Sequence, residues 1–149
     1  MRKETLDNLE KIEKPWGYEV IWGRSASQDG YIGKLLFIDA GERLSMQYHE
    51  DKEETITVKT GTLYLQTIGL ITEDVNSREL MKTSIKEIKL IPGDVYHIPP
   101  FMTHRFAAKE ENVEIIEVST CFLDDVVRIQ DDYGRLGDED EGLWGDDDC

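Results

Sequence analysis

The sequence predicts an all-β domain, a sandwich or barrel of short antiparallel strands. Eight stretches rich in Val, Ile, Leu, Tyr and Thr follow one another between Tyr18 and Thr120. Glycines and prolines punctuate them, and no sustained helical period intervenes. In order they are "YEVIW", "YIGKLLFIDA", "LSMQYH", "TITVKT", "TLYLQTI", "SIKEIKLI", "VYHIP" and "VEIIEVST". The breaks fall at Gly23, Gly30, Gly41, Gly61, Pro92-Gly93 and Pro99-Pro100. The polar run "EDVNSREL" reads as a hairpin loop. Residues 1–11 carry a weak helical pattern, with Leu6 and Leu9 on one face. In "LDDVVRIQDDYGR", Leu123, Val126, Val127 and Ile129 suit a short helix or an extended arm, and periodicity leaves both open.

At 149 residues the chain is long enough for one domain with a core of its own. The expected division is an N-terminal segment 1–13, a β domain 14–135 and an acidic tail 136–149. The net charge of −15 excludes nucleic acid and anionic membranes as partners. From Asp124 onward eleven acidic residues face only Arg128 and Arg135. The end "GDEDEGLWGDDDC" is therefore expected to be mobile, and it lacks the spacing of an EF-hand calcium loop. No apolar run approaches the ~18 residues of a membrane span, and the start has no signal-peptide core. A cytoplasmic location is expected. Cys121 and Cys149 are too few for a disulfide framework and read as plain thiols.

Chemistry concentrates in two places. Along a strand, residues i and i+2 share a face, so Gln47 and His49 converge and Glu54 can join them after the turn "EDKE". The spacing from Gly41 is G-x5-Q-x-H-x4-E-x6-G. The second place is "PGDVYHIPPFMTHRF", where a strand ends at a double proline and His104 follows a tight turn. Two imidazoles, a carboxylate and an amide oxygen form an N/O donor set. It suits zinc, manganese, iron or cobalt rather than a thiolate metal. His97 lies outside this pattern and reads as a surface or hydrogen-bonded residue.

The two clusters resemble the paired motifs of the cupin superfamily, G-x5-H-x-H-x3,4-E-x6-G and G-x5-P-x-G-x2-H-x3-N. Gly41, His49, Glu54, Gly61, Gly93, Pro99 and His104 match; Gln47, Phe101 and Ala108 depart. Within cupins, "KPWGYEVIW", "AGERLSMQYHEDKEETITVKTGT" and "EVSTCFLDDVVRIQDDYGR" are similar to the isomerase domain of type II phosphomannose isomerases, over about Lys14 to Arg135. Gln at the first ligand position belongs to that group's pattern. The resemblance implies a cupin jelly-roll β-barrel and a divalent metal, zinc first, held by Gln47, His49, Glu54 and His104. It further implies interconversion of mannose 6-phosphate and fructose 6-phosphate.

Moving a proton between C2 and C1 of an open-chain sugar needs an enediolate stabiliser and a base. The resemblance points to Lys34 and Arg135 as catalytic and substrate-binding residues, with Arg128 as a further phosphate contact. Glu53, Glu117 and Asp132 remain open as the base. Alternative readings are an oxygenase, an epimerase or a non-catalytic sugar-binding cupin. A homodimer is expected, because the aromatic stretch "PWGYEVIW" looks hard to bury within one barrel.

Overall fold

The computed structural model describes residues 3–27, 29–70, 85–121 and 126–130. The loop "EDVNSREL", Leu123, Asp132, Arg135 and the acidic tail lie outside the described residues. Eleven strands form: β1 Ile12–Lys14, β2 Gly17–Arg24, β3 Tyr31–Ile38, β4 Met46–His49, β5 Glu54–Thr60, β6 Leu63–Leu70, β7 Lys86–Leu90, β8 Val95–Ile98, β9 Met102–Ala107, β10 Val113–Thr120 and β11 Val126–Gln130. Each of the eight expected stretches contributes a strand. Among the described residues the weak N-terminal helical pattern yields only a 3₁₀ turn, Leu6–Asn8. The open choice near the C-terminus resolves as strand β11. No helix among the described residues is long and apolar enough to cross a membrane.

All pairings are antiparallel. One sheet runs β1-β2-β3-β10-β5-β8 and the other β11-β4-β9-β6-β7. From β3 to β10 the chain crosses between the sheets at every connection except the β6–β7 hairpin, in jelly-roll order, and β1, β2 and β11 extend the edges. The barrel is thus two facing sheets rather than a closed cylinder. A single core joins them, with Leu36, Ile38, Ile56 and Ile115 of one sheet packed against Leu63, Leu65, Met102 and Phe106 of the other.

Within "PWGYEVIW", Trp16 and Val20 are buried in the chain's own core, whereas Trp22 is 40% exposed. Gly61 turns β5 into β6 at φ 78°, and a Cβ there would collide with the Asn112 carbonyl. Cys121 is buried just after β10; Cys149 lies outside the described residues.

Candidate functional site

Strand register decides which side chains enter the space between the sheets. Directly opposed residues share a face. In the six-stranded sheet Glu117 stands opposite Lys34 and Ile56, Ser119 opposite Glu54, and Glu19 opposite Leu36. In the other sheet Arg128 stands opposite Gln47, Gln47 opposite His104, and His104 opposite Thr67. These rows face inward. They enclose a cavity of about 30 Å³ lined by Gln47, His49, Lys52, Glu54, Glu117, Lys34 and Glu19, with Trp16, Leu36, Leu44 and Phe106 as its apolar wall. The volume holds one or two small occupants such as water or an ion.

His104 and Glu54 are in contact, with Nε2 3.1 Å from Oε1. On the far side of the ring, Nδ1 lies 2.8 Å from the Met102 carbonyl oxygen. A carbonyl only accepts, so Nδ1 carries a proton and donates it. In a neutral imidazole Nε2 then meets the carboxylate lone pair to lone pair. The contact requires positive charge, either a second ring proton or a cation bound by both atoms. A spacing near 3 Å suits two donors at ~2.0–2.2 Å from one ion, and the carbonyl is the usual outer partner of a metal-binding histidine.

His49, 5% exposed, lines the same cavity, its ring centre 6.3 Å from that of His104. Gln47 Oε1 accepts a hydrogen bond from Ser45 Oγ at 2.6 Å. Among the described residues no three His, Cys, Asp or Glu groups already close around one point. The residues therefore fit a divalent ion in donor chemistry and in the Glu54–His104 spacing, with His49 and Gln47 as the donors available to complete it.

Burial alone would raise the Glu54 carboxyl. The His104 hydrogen bond and the charges of His104, Lys52 and His49 outweigh it and hold Glu54 well below the usual carboxylate range. Glu117 goes the other way. Burial, then the negative charge of Glu54, push it up to about 8 against the pull of Lys52 and Lys34. Two neighbouring carboxyls are thus driven apart, one ionised and one able to hold a proton near neutrality.

A second charged group lies beside them. Glu19 Oε2 is 3.2 Å from Lys34 Nζ, and Oε1 is 3.3 Å from Lys14 Nζ. All three side chains are buried. Lys34 lines the cavity and is tethered to a carboxylate. Arg128 is buried in the row that includes Gln47 and His104. Glu53 is half exposed and faces His97 Nε2 at 3.4 Å, away from the cavity. His97 Nδ1 is 3.0 Å from Thr55 Oγ1 on the surface. Sequence reasoning missed Lys14, Glu19, Lys52 and Trp16. Strand alternation put Glu19 on the face opposite Tyr18 and Val20, but nothing local says which face is the interior.

The two-sheet jelly roll with this inward polar cluster is a cupin. A family model described as D-lyxose isomerase matches residues 21–136, and the chain belongs to that family. Among solved structures, the capsular polysaccharide assembling protein CapF of Staphylococcus aureus is similar at a TM-score of 0.65 and 15% identity, over 82% of this chain and 34% of that one. A sugar phosphate isomerase of the cupin superfamily from Silicibacter pomeroyi gives 0.59 and 18%, over 80% and 75%. KdgF from Halomonas gives 0.58 and 17%, over 76% and 89%. At these identities the shared property is the fold, and this chain spans about a third of the length of CapF.

Proposed function

We propose that the protein is a metal-dependent aldose–ketose isomerase for a sugar with the C2 configuration common to D-lyxose and D-mannose. Mannose 6-phosphate and fructose 6-phosphate are the proposed pair. The observation that carries this reading is the Glu54–Glu117–Lys52 group, buried at the centre of a jelly roll whose family isomerises sugars. Transfer of hydrogen from C2 to C1 needs one group that takes a proton from carbon and returns it to the neighbouring carbon, and another that steadies the oxygens meanwhile. Glu117 faces inward between Lys34 and Ile56 and is proposed as the first. It removes the C2 proton, the C2 electrons form the C1–C2 double bond, and the carbonyl electrons move to O1. The Lys52 ammonium gives a proton to O1 and takes the O2 proton back as the C2 carbonyl forms, while Glu117 returns its proton to C1, which gives the ketose.

A divalent cation held by His49, Glu54, His104 and Gln47, zinc first in our proposal, would supply Lewis-acid polarisation of the sugar oxygens. Lys34, held by Glu19, offers an N–H to a hydroxyl. Arg128 and Arg135 are the proposed phosphate contacts, as charge-assisted partners of a dianion. A second reading, turnover of unphosphorylated D-lyxose, is favoured by the family match and by the engagement of Lys34 with Glu19.

The test is turnover of D-mannose 6-phosphate and D-lyxose by chelator-stripped protein, before and after addition of zinc, manganese, cobalt or iron. Ketose is expected only with metal. No ketose from either sugar with any of the four would overturn the proposal, whereas oxygen consumption with iron would point to an oxygenase.

A further inference from the structure

We infer that Trp16 is a substrate-contacting residue: its indole closes the cavity and, when a sugar enters, gives way and packs against the sugar's carbon-bound hydrogens. The inference rests on the isomerase reading proposed above. The cavity of about 30 Å³ holds an ion and a water but no sugar, for which pockets begin at about 300 Å³. Part of the lining must therefore move. The lining strands β2, β3, β4, β5, β9 and β10 are each paired on both sides, so none can swing away without breaking a ladder. Three lining residues stand outside the strands: Trp16, Leu44 and Lys52. Lys52 is already assigned to proton transfer, and Leu44 is pinned by its N–H to the Phe106 carbonyl at 2.9 Å. Trp16 is placed differently. With Pro15 it makes the turn of the β1–β2 hairpin at the sheet edge, where three-residue β1 has β2 as its one strand partner among the described residues. Edge elements with so few cross-strand bonds are the ones that open locally. The Trp16 carbonyl accepts from the Asp39 N–H at 2.9 Å, which anchors the turn's backbone and leaves the indole to rotate.

The chemistry of the lining suits this role. Trp16, Leu36, Leu44 and Phe106 form an apolar wall continuous with the core, while the remaining lining residues are polar or charged. An open-chain sugar is divided in the same way, into hydroxyls and carbon-bound hydrogens. With C1 and C2 held at Glu117, the rest of the carbon chain is left for the apolar wall. The indole is the largest flat surface in that wall. No charge develops on the carbons it touches, so it holds aldose, transition state and ketose alike. Binding of that uniform kind sets KM and the choice of sugar rather than kcat.

Two measurements on the full chain test it. Trp22→Phe with Trp144→Phe leaves Trp16 as the one tryptophan of the chain's three. That protein, metal-loaded, is titrated with D-mannose 6-phosphate and with D-lyxose while tryptophan emission is read. A saturable change is expected with the sugar that is turned over. In the otherwise unaltered chain, Trp16→Leu is expected to raise KM about tenfold with kcat within about threefold, and Trp16→Phe to raise KM about threefold. A tryptophan that merely filled the core would lower the folded fraction, and hence kcat and the melting temperature, and leave KM alone. Should Trp16→Leu fail to fold, Trp16→Phe and the titration carry the test. Turnover of a sugar without a change in emission, or an unchanged KM in the folded Trp16 variants, overturns the inference and leaves the isomerase reading in place. An emission change with a sugar that is not converted supports the inference and counts against the isomerase reading. No response to either sugar, with no turnover, overturns both.

Discussion

Glu19→Gln removes one charge and almost no volume from the Lys14–Glu19–Lys34 group. The three side chains are 1–3% exposed, and the carboxylate sits 3.3 and 3.2 Å from the two ammonium nitrogens. Two cations in a nearly dry interior then lose their shared anion. Removing one partner of a buried pair costs about 3–5 kcal/mol, because the remaining charge is left without compensation. That is a large part of the ~5–15 kcal/mol that holds a domain of this size together. At about 2–4 °C per kcal/mol, the melting temperature should fall by roughly 6–20 °C. Thermal unfolding followed by circular dichroism reads this directly. Adding Lys34→Met to Glu19→Gln removes one of the two cations and should restore part of the loss, a coupling that a double-mutant cycle isolates. The Lys109–Glu87 contact is shorter, 2.8 Å, but exposed, and its removal should leave the melting temperature within about 2 °C of wild type. A shift of less than about 2 °C for Glu19→Gln would refute the reasoning, since a buried charge pair cannot be broken at no cost.

Three further outcomes follow from the site. Lys52→Met should lower turnover about a hundredfold or more while leaving the fold intact, read as kcat with circular dichroism as control. Phe101 is the single non-glycine residue with positive φ among those described, at 66°, and its N–H donates to the His49 carbonyl at 2.7 Å. Its ring also stacks on Tyr48, with centroids 6.1 Å apart. Phe101→Gly should relieve the backbone yet loosen the link between the strands bearing His49 and His104, and so weaken metal binding measured by competition with a chelator. Unchanged metal affinity would make the turn merely structural. Arg135→Ala should lower kcat/KM on a phosphosugar at least tenfold, from about 1.5–3 kcal/mol of charge-assisted contact, with metal content unchanged.

Much of this architecture was legible in the sequence. Alternating β-branched and aromatic residues marked eight strands, and the turn glycines and prolines fell where the chain reverses. β9 is not marked by the pattern, because "MTHRFA" begins one residue after the double proline and is buried on both faces, which erases the alternation. β1 is only three residues long and too short for any period. Motif spacing drew attention to Gln47, His49 and Glu54, which line one cavity, and to His104, which touches Glu54. It could not find Glu19, Lys14 or Lys52. Charged residues in a strongly acidic chain are ordinarily solvated, and only the completed sheet pairing shows that these three are buried. The same inversion hid the outward position of Trp22, which looks like a core residue until Glu19 and Lys34 are seen to occupy the inside.

The central claim is that Glu117 moves a proton between adjacent carbons of a sugar. Proton NMR of D-mannose 6-phosphate and of D-lyxose, incubated in D2O with the metal-loaded protein, tests it most directly. The account predicts ketose formation with solvent deuterium entering at C1 or C2, and a fall of about 10²–10⁴ in that rate for Glu117→Gln with metal content unchanged. An unexchanged C2 proton with no ketose from either sugar, or a Glu117→Gln variant as fast as wild type, would contradict it.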